Sequence, residues 1–212
     1  MAKTSADYLK LTKDYPLISE QMTKKRLETI LKSLSDVLGQ DIAGDIVEFG
    51  CYSGTTSLFL KRMMNLYAAD KKLHVYDSFS GLPDKTIKDA SVVGSDFKAG
   101  ELKASKRELV RNFRKAGLEL PQIHKGWFSQ LKDKDVPQQI CFAFLDGDFY
   151  NSIMDSLTLV WPRLSENGLM VVDDYERSGL PGVSRAINEF FQNQPLSIIH
   201  KNNLALIKKP KG

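Results

Sequence analysis

Two apolar runs, CFAFL at Cys141–Leu145 and LMVV at Leu169–Val172, each end in carboxylates. Asp146 and Asp148 follow the first run, and Asp173 and Asp174 follow the second. Between the runs, residues 152–164 carry a helical pattern and Glu166-Asn167-Gly168 reads as a turn. If the runs are adjacent parallel strands joined by that helix, four acids collect at the carboxyl edge of one sheet, where open α/β folds place ligands. One aspartate is readily explained as a helix or turn cap. Four at neighbouring strand ends repel one another, and a bound cation relieves that repulsion.

The rest of the chain supplies the sheet around these runs. Residues 1–15 are polar and weakly periodic, which suggests loose order. Leu27, Ile30, Leu31, Leu34, Val37 and Leu38 then form one apolar stripe on a helix ending near Gly39. The stripe suits either the core or an interface. Asp45–Gly50 reads as a strand closing on glycine, followed by the turn Cys51–Thr56 and a helix through Phe59, Leu60, Met63 and Met64. Strand, glycine turn and helix open a nucleotide-binding βαβ unit, in which backbone approaches the ligand closely. The spacing is not GxGxxG, and Glu48 inside the strand is atypical of that fingerprint, which argues against a dehydrogenase.

A second strand, Leu73–Tyr76, ends at Asp77, which is placed to accept hydrogen bonds from two ribose hydroxyls. After Ser78–Pro83 a long polar connection runs to about residue 104. Segments of this length in a compact domain act as lids or are plain insertions, and we expect a lid. A helix over Lys106–Ala116 and a short strand from Ile123 follow; Trp127 or Phe128 at its exit either stacks on a purine or fills the core. Val183–Gln192 is an amphipathic helix, and Leu196–Ile199 and Leu204–Ile207 form a terminal hairpin. The expected fold is α/β: a doubly wound, mostly parallel seven-stranded sheet with an antiparallel edge strand. An N-terminal helical segment (residues 1–40) precedes the main domain (41–212).

Composition excludes several function classes. The net charge of +4 comes from 30 basic against 26 acidic residues, too diffuse to imply nucleic acid. There is no apolar leader and no run long enough to span a bilayer, so a cytoplasmic protein is expected, with no membrane partner. Cys51 and Cys141 sit in apolar segments and read as buried free thiols. His74, His124 and His200 have no zinc-ligand spacing and read as structural.

The segments MTKKRLETIL, GDIVEFGCYSGTT, VYDSFSGLP, GWF, LDGDFYNSIMDSL, PRL, GLMVVDDY and GVSRAINEF occur in this order over residues 21–207. Together they resemble the class I S-adenosylmethionine-dependent methyltransferases, and within them the macrocin O-methyltransferase family, which methylates sugar hydroxyls on antibiotic scaffolds. The resemblance implies a Rossmann-like methyltransferase fold with S-adenosylmethionine and Mg2+ as cofactors. It implies Asp146, Asp173 and Asp174 as metal ligands and Asp148 as general base. Glu48, Gly50, Tyr52, Ser53, Asp77 and Ser78 would line the cofactor, with Trp127 and Phe128 beside it. The acceptor would be a hydroxylated small molecule, and a homodimer through the N-terminal helices is expected. Ser53 stands where the family more often has arginine, and residues 84–104 do not match closely. A catechol-type or other small-molecule methyltransferase, and a cofactor-binding protein without catalysis, are the competing readings.

Overall fold

The computed structural model describes residues 7–67, 70–94, 97–194 and 196–211. Residues 1–6 of the N-terminal segment and 95–96 of the long connection lie outside this set. Seven strands form one sheet in the order β3-β2-β1-β4-β5-β7-β6. They are β1 (Asp45–Phe49), β2 (Leu73–Asp77), β3 (Gln122–Lys125), β4 (Ile140–Leu145), β5 (Leu164–Val172), β6 (Ile198–Lys201) and β7 (Leu204–Lys208). β1 to β5 run parallel, and β7 lies antiparallel to both β5 and β6. The expected doubly wound sheet is therefore present, with its reversed strand set one place in from the edge.

Helices cover both faces: α1 (Asp7–Asp14), α2 (Lys24–Gly39), α3 (Thr55–Leu66), α4 (Lys106–Lys115), α5 (Tyr150–Val160) and α6 (Pro181–Phe190). One apolar layer joins α2 and α3 to the sheet through Leu27, Ile30, Leu34, Phe59, Met63 and Phe142. The opposite layer joins α5 and α6 through Ile153, Leu157, Val183 and Ile187 to Val47, Ala143 and Met170. β4 is buried along its whole length because both layers close on it, which explains an unbroken apolar run in place of alternation. Every residue of the α2 stripe is buried within this chain, so the stripe serves the core.

Two segments depart from expectation. The polar stretch before residue 15 contains α1, whose buried Leu11 joins the α2–α3 layer and whose Thr12 hydroxyl bonds Glu28 at 3.0 Å. Tertiary packing here overrides a weak local pattern. β5 begins at Leu164, earlier than expected; the predicted turn persists as an irregularity in which Asn167 adopts φ 62° and its N–H bonds the Lys209 carbonyl at 3.0 Å.

Candidate active site

Strand register fixes the geometry of the site. Phe49 pairs with Tyr76 on one side and Leu145 on the other, and Leu145 pairs with Val172. The next residues, Asp77, Gly50, Asp146 and Asp173, therefore stand side by side along the carboxyl edge of β2, β1, β4 and β5. Backbone bonds carry the ladder past the strand ends: Gly50 N to Tyr76 O at 2.9 Å, Asp146 N to Phe49 O at 2.8 Å and Asp173 N to Leu145 O at 2.9 Å. Gly50 has φ 87°, and a side chain there would collide with the Asp146 carbonyl.

This edge floors a cleft of about 750 Å³. Its walls include Gly50, Tyr52, Asp77, Ser78, Trp127, Phe128, Asp146, Asp148, Asp173 and Asp174. A smaller cavity of about 290 Å³ shares Gly50, Tyr52 and Asp146 with it and adds Glu48, Thr55 and Thr56. Of the residues singled out in the sequence, Ser53 alone lines neither cavity: it is buried, and its carbonyl accepts from the Asn112 side chain at 2.9 Å.

On the β1–β2 side the acids are already bonded. Asp77 takes the Tyr52 N–H on one oxygen at 2.9 Å and the Phe79 N–H on the other at 2.7 Å, tying the glycine turn to the exit of β2. Burial raises its pKa above the ordinary carboxylate value, and these N–H groups pull the other way. Glu48 is fully enclosed and accepts from the Ser57 hydroxyl. Desolvation lifts its pKa to about 8 against that hydrogen bond, so it is protonated near neutral pH. Phe128 packs edge-on against Phe49 at 5.1 Å while also facing the cleft, so it fills the core and lines the site at once.

On the β4–β5 side the acids face one another. Carboxylate oxygens of Asp146, Asp148 and Asp174 all lie within 4.8 Å of one another. Asp148 and Asp174 adopt φ 57° and 55°, sparsely populated for a non-glycine residue, which turns both side chains off the strand direction. Burial, then the neighbouring aspartates, pushes Asp146 well up, Asp148 to about 8 and Asp173 to about 7. Crowded carboxyls of this kind cannot all ionise without a cation, and the oxygen donor set suits a hard divalent ion.

Two arginines reach the same acids. Arg26 Nη1 donates to both oxygens of Asp173 at 2.9 and 3.0 Å and to Asp174 Oδ1 at 3.0 Å. Arg177 Nη1 lies 3.4 Å from Asp174 Oδ2, and its guanidinium sits 5.3 Å from the Phe97 ring. Neither arginine was singled out from the sequence, nor were Gln21, Phe97 and Leu102, which also line the cleft. A signal for Arg26 existed: Lys24-Lys25-Arg26 opens α2 with three cations where the helix dipole favours acids.

The long connection is not a plain loop. Asp89 is buried and accepts the Tyr150 N–H, at the start of α5, at 2.7 Å; its other oxygen accepts from the Thr86 N–H and hydroxyl. Arg185 donates to the Lys88 and Ala90 carbonyls at 2.5 and 3.1 Å, fastening the segment to α6. Phe97 and Leu102 from this connection, with Leu82 and Pro83 just before it, also line the cleft.

The macrocin O-methyltransferase (TylF) family matches residues 2–202. The chain belongs to that family. Demethyldecarbamoylnovobiocin O-methyltransferase of Streptomyces niveus is 31% identical over 193 residues, covering 84% of this chain and 70% of the relative. Mycinamicin III 3''-O-methyltransferase of Micromonospora griseorubida is 30% identical over 193 residues, covering 87% and 75%. Among solved structures, the O-methyltransferase NovP superposes with a TM-score of 0.75 at 28% identity, over 89% of this chain and 81% of that one. The calicheamicin methyltransferase CalS11 shares the fold, with a TM-score of 0.69 at 17% identity, over 96% and 90%. This protein is an O-methyltransferase, and its relatives named here act on natural products. Non-catalytic cofactor binding is thereby set aside. Among the described residues, no helix of this methyltransferase is long and apolar enough to cross a membrane.

Proposed function

We propose that this methyltransferase transfers the methyl group of S-adenosylmethionine to a hydroxyl of a sugar or similar polyhydroxylated small molecule, with a divalent cation, Mg2+, held by the acid cluster. The observation that carries this reading is the junction at Gly50. On one side the cleft is lined by Asp77, Ser78, Trp127 and Phe128; on the other crowded carboxylates line the same cleft.

The residues fit both groups. Asp77 would take the ribose hydroxyls on lone pairs not used by Tyr52 and Phe79, while Gly50 lets backbone approach the ligand. Thr55 Oγ1 is buried without a partner and lines the smaller cavity with Glu48, which suits a polar amino-acid tail. Trp127 and Phe128 would flank the base. Asp146, Asp173 and Asp174 would hold the cation, consistent with the family resemblance. When bound, S-adenosylmethionine supplies an activated methyl, and the cation lowers the pKa of the acceptor hydroxyl.

Asp148 would be the general base. It sits within 4.8 Å of the Asp146 and Asp174 carboxylates, and a base whose pKa lies near the working pH transfers protons most effectively. The other cleft residues orient the acceptor and exclude water: Leu82, Phe97 and Leu102 present an apolar wall, and Ser152 and Gln21 present polar groups. The domain division would fall between the N-terminal helical segment (1–40) and the methyltransferase domain (41–212), with α2 sharing a core layer with the latter. The expected homodimer would have to use a surface other than the buried α2 stripe, which light scattering on the purified protein checks.

The decisive experiment incubates the protein with labelled S-adenosylmethionine and a panel of sugar diols and catechols, with Mg2+ or with chelator. Transfer to a diol that stops with chelator supports the proposal. Transfer that persists in chelator overturns the metal role, and a preference for catechols overturns the acceptor class.

A further inference from the structure

Arg26 has no role in the chemistry above, yet its side chain bonds Asp173, Asp174 and the Gln21 carbonyl. It stands in the first turn of α2, where the Thr23 hydroxyl caps the helix by accepting the Arg26 N–H at 3.3 Å. Its side chain is 11% exposed and reaches across to the end of β5. There a single nitrogen meets three carboxylate oxygens of Asp173 and Asp174 at 2.9–3.0 Å. The other terminal nitrogen donates to the Gln21 carbonyl, so the segment just before the helix helps hold the guanidinium in place. Nε is buried without a partner, so the side chain is placed for the acids and not for its own full satisfaction.

Charge balance gives this arrangement a meaning. Fully ionised, Asp146, Asp148, Asp173 and Asp174 carry four negative charges, and Arg26 and Arg177 return two. The remainder is matched by one divalent ion. If Asp173 and Asp174 are ligands as proposed, the ion would meet oxygens that Arg26 already holds: both of Asp173 and Oδ1 of Asp174.

We propose that Arg26 is a resident counter-charge, a positioning residue that competes with the divalent cation for the Asp173–Asp174 pair. It keeps the pair together when no cation is bound and limits how tightly one is held. This inference rests on the metal reading proposed above, which the same experiment tests separately.

The test titrates Mn2+ and Mg2+ calorimetrically into the whole protein with S-adenosylhomocysteine present, and records melting temperatures with and without Mg2+. In Arg26→Gln the competing charge is gone, so the cation Kd should tighten at least about fivefold, as expected for removing a like charge a few ångströms from the ion. The metal-free protein should melt lower than wild type, with the deficit largely closed by saturating Mg2+. Arg26→Lys keeps the charge without the fork, so its Kd should tighten by less; it carries the test if the glutamine variant does not fold. A merely structural Arg26 would lower the melting temperature with cation affinity unchanged or weakened, and that result overturns the inference. A wild-type protein that binds neither ion overturns the metal reading itself.

Discussion

The two halves of the carboxyl edge hold the same residue type in opposite states. On the β1–β2 side, Asp77 and Glu48 have their hydrogen-bond partners inside the chain: two backbone N–H groups for one and the Ser57 hydroxyl for the other. On the β4–β5 side, Asp146, Asp148 and Asp174 face one another across a few ångströms, with Arg26 and Arg177 reaching Asp174. A carboxylate satisfied by its own backbone is a fixed recognition element. A carboxylate crowded by its neighbours is costly to ionise until positive charge is brought to it, which Arg26 and Arg177 supply in part.

Substitutions separate the halves most sharply where the acids are unsatisfied. Asp174→Ala should lower kcat about a thousandfold or more, while calorimetry with S-adenosylhomocysteine finds cofactor affinity nearly unchanged. If cofactor binding collapses with it, the two halves are one unit and the comparison fails. Asp148→Asn should cost about a hundredfold in kcat while keeping Mn2+ affinity. Loss of Mn2+ binding in that variant would instead make Asp148 a ligand, as its closeness to Asp146 and Asp174 permits.

On the satisfied side the effects are smaller and of another kind. Asp77→Ala should weaken S-adenosylhomocysteine binding by about tenfold or more, because it also strips the partners from the Tyr52 and Phe79 N–H groups. Mn2+ affinity should not move. Glu48 gives the subtlest readout. Its pKa is about 8 in the folded protein against an ordinary 4.5, so the fold favours its protonated form. That contribution is complete below about pH 4.5 and is lost as pH rises through about 8. The melting temperature of Glu48→Gln should therefore fall less than wild type between those limits, and parallel curves would show that Glu48 does not titrate there.

Much of the site could be read from the chain because strand-end chemistry is local. A run that must be buried on both faces is continuously apolar, as Ile140–Leu145 is, and its first polar residue marks the sheet edge. LDGD and VVDD thus placed their acids before any coordinates, and the glycine turn with Asp77 placed the other half. The α1 helix escaped notice because its stripe is short and gains order only by packing on α2. The length of the connection after Pro83 raises the expectation of a lid, but its anchor was not legible. Asp89 looks like any loop aspartate until the start of α5 supplies the N–H it accepts.

Arg26 shows where sequence reasoning stops. By itself the sequence determined the reaction edge: which strands end in acids, where backbone must yield to a ligand, and which family the pattern resembles. Tertiary structure alone decided which acids crowd one another and which are paired with a guanidinium. Arg26, the partner that Asp173 and Asp174 share, lies 147 and 148 residues away in the chain, on a helix whose first turn favours no cation. Local patterns report what a residue can do; only the packing of α2 against β5 brings a guanidinium to those oxygens, because charge pairing acts through space and not along the chain.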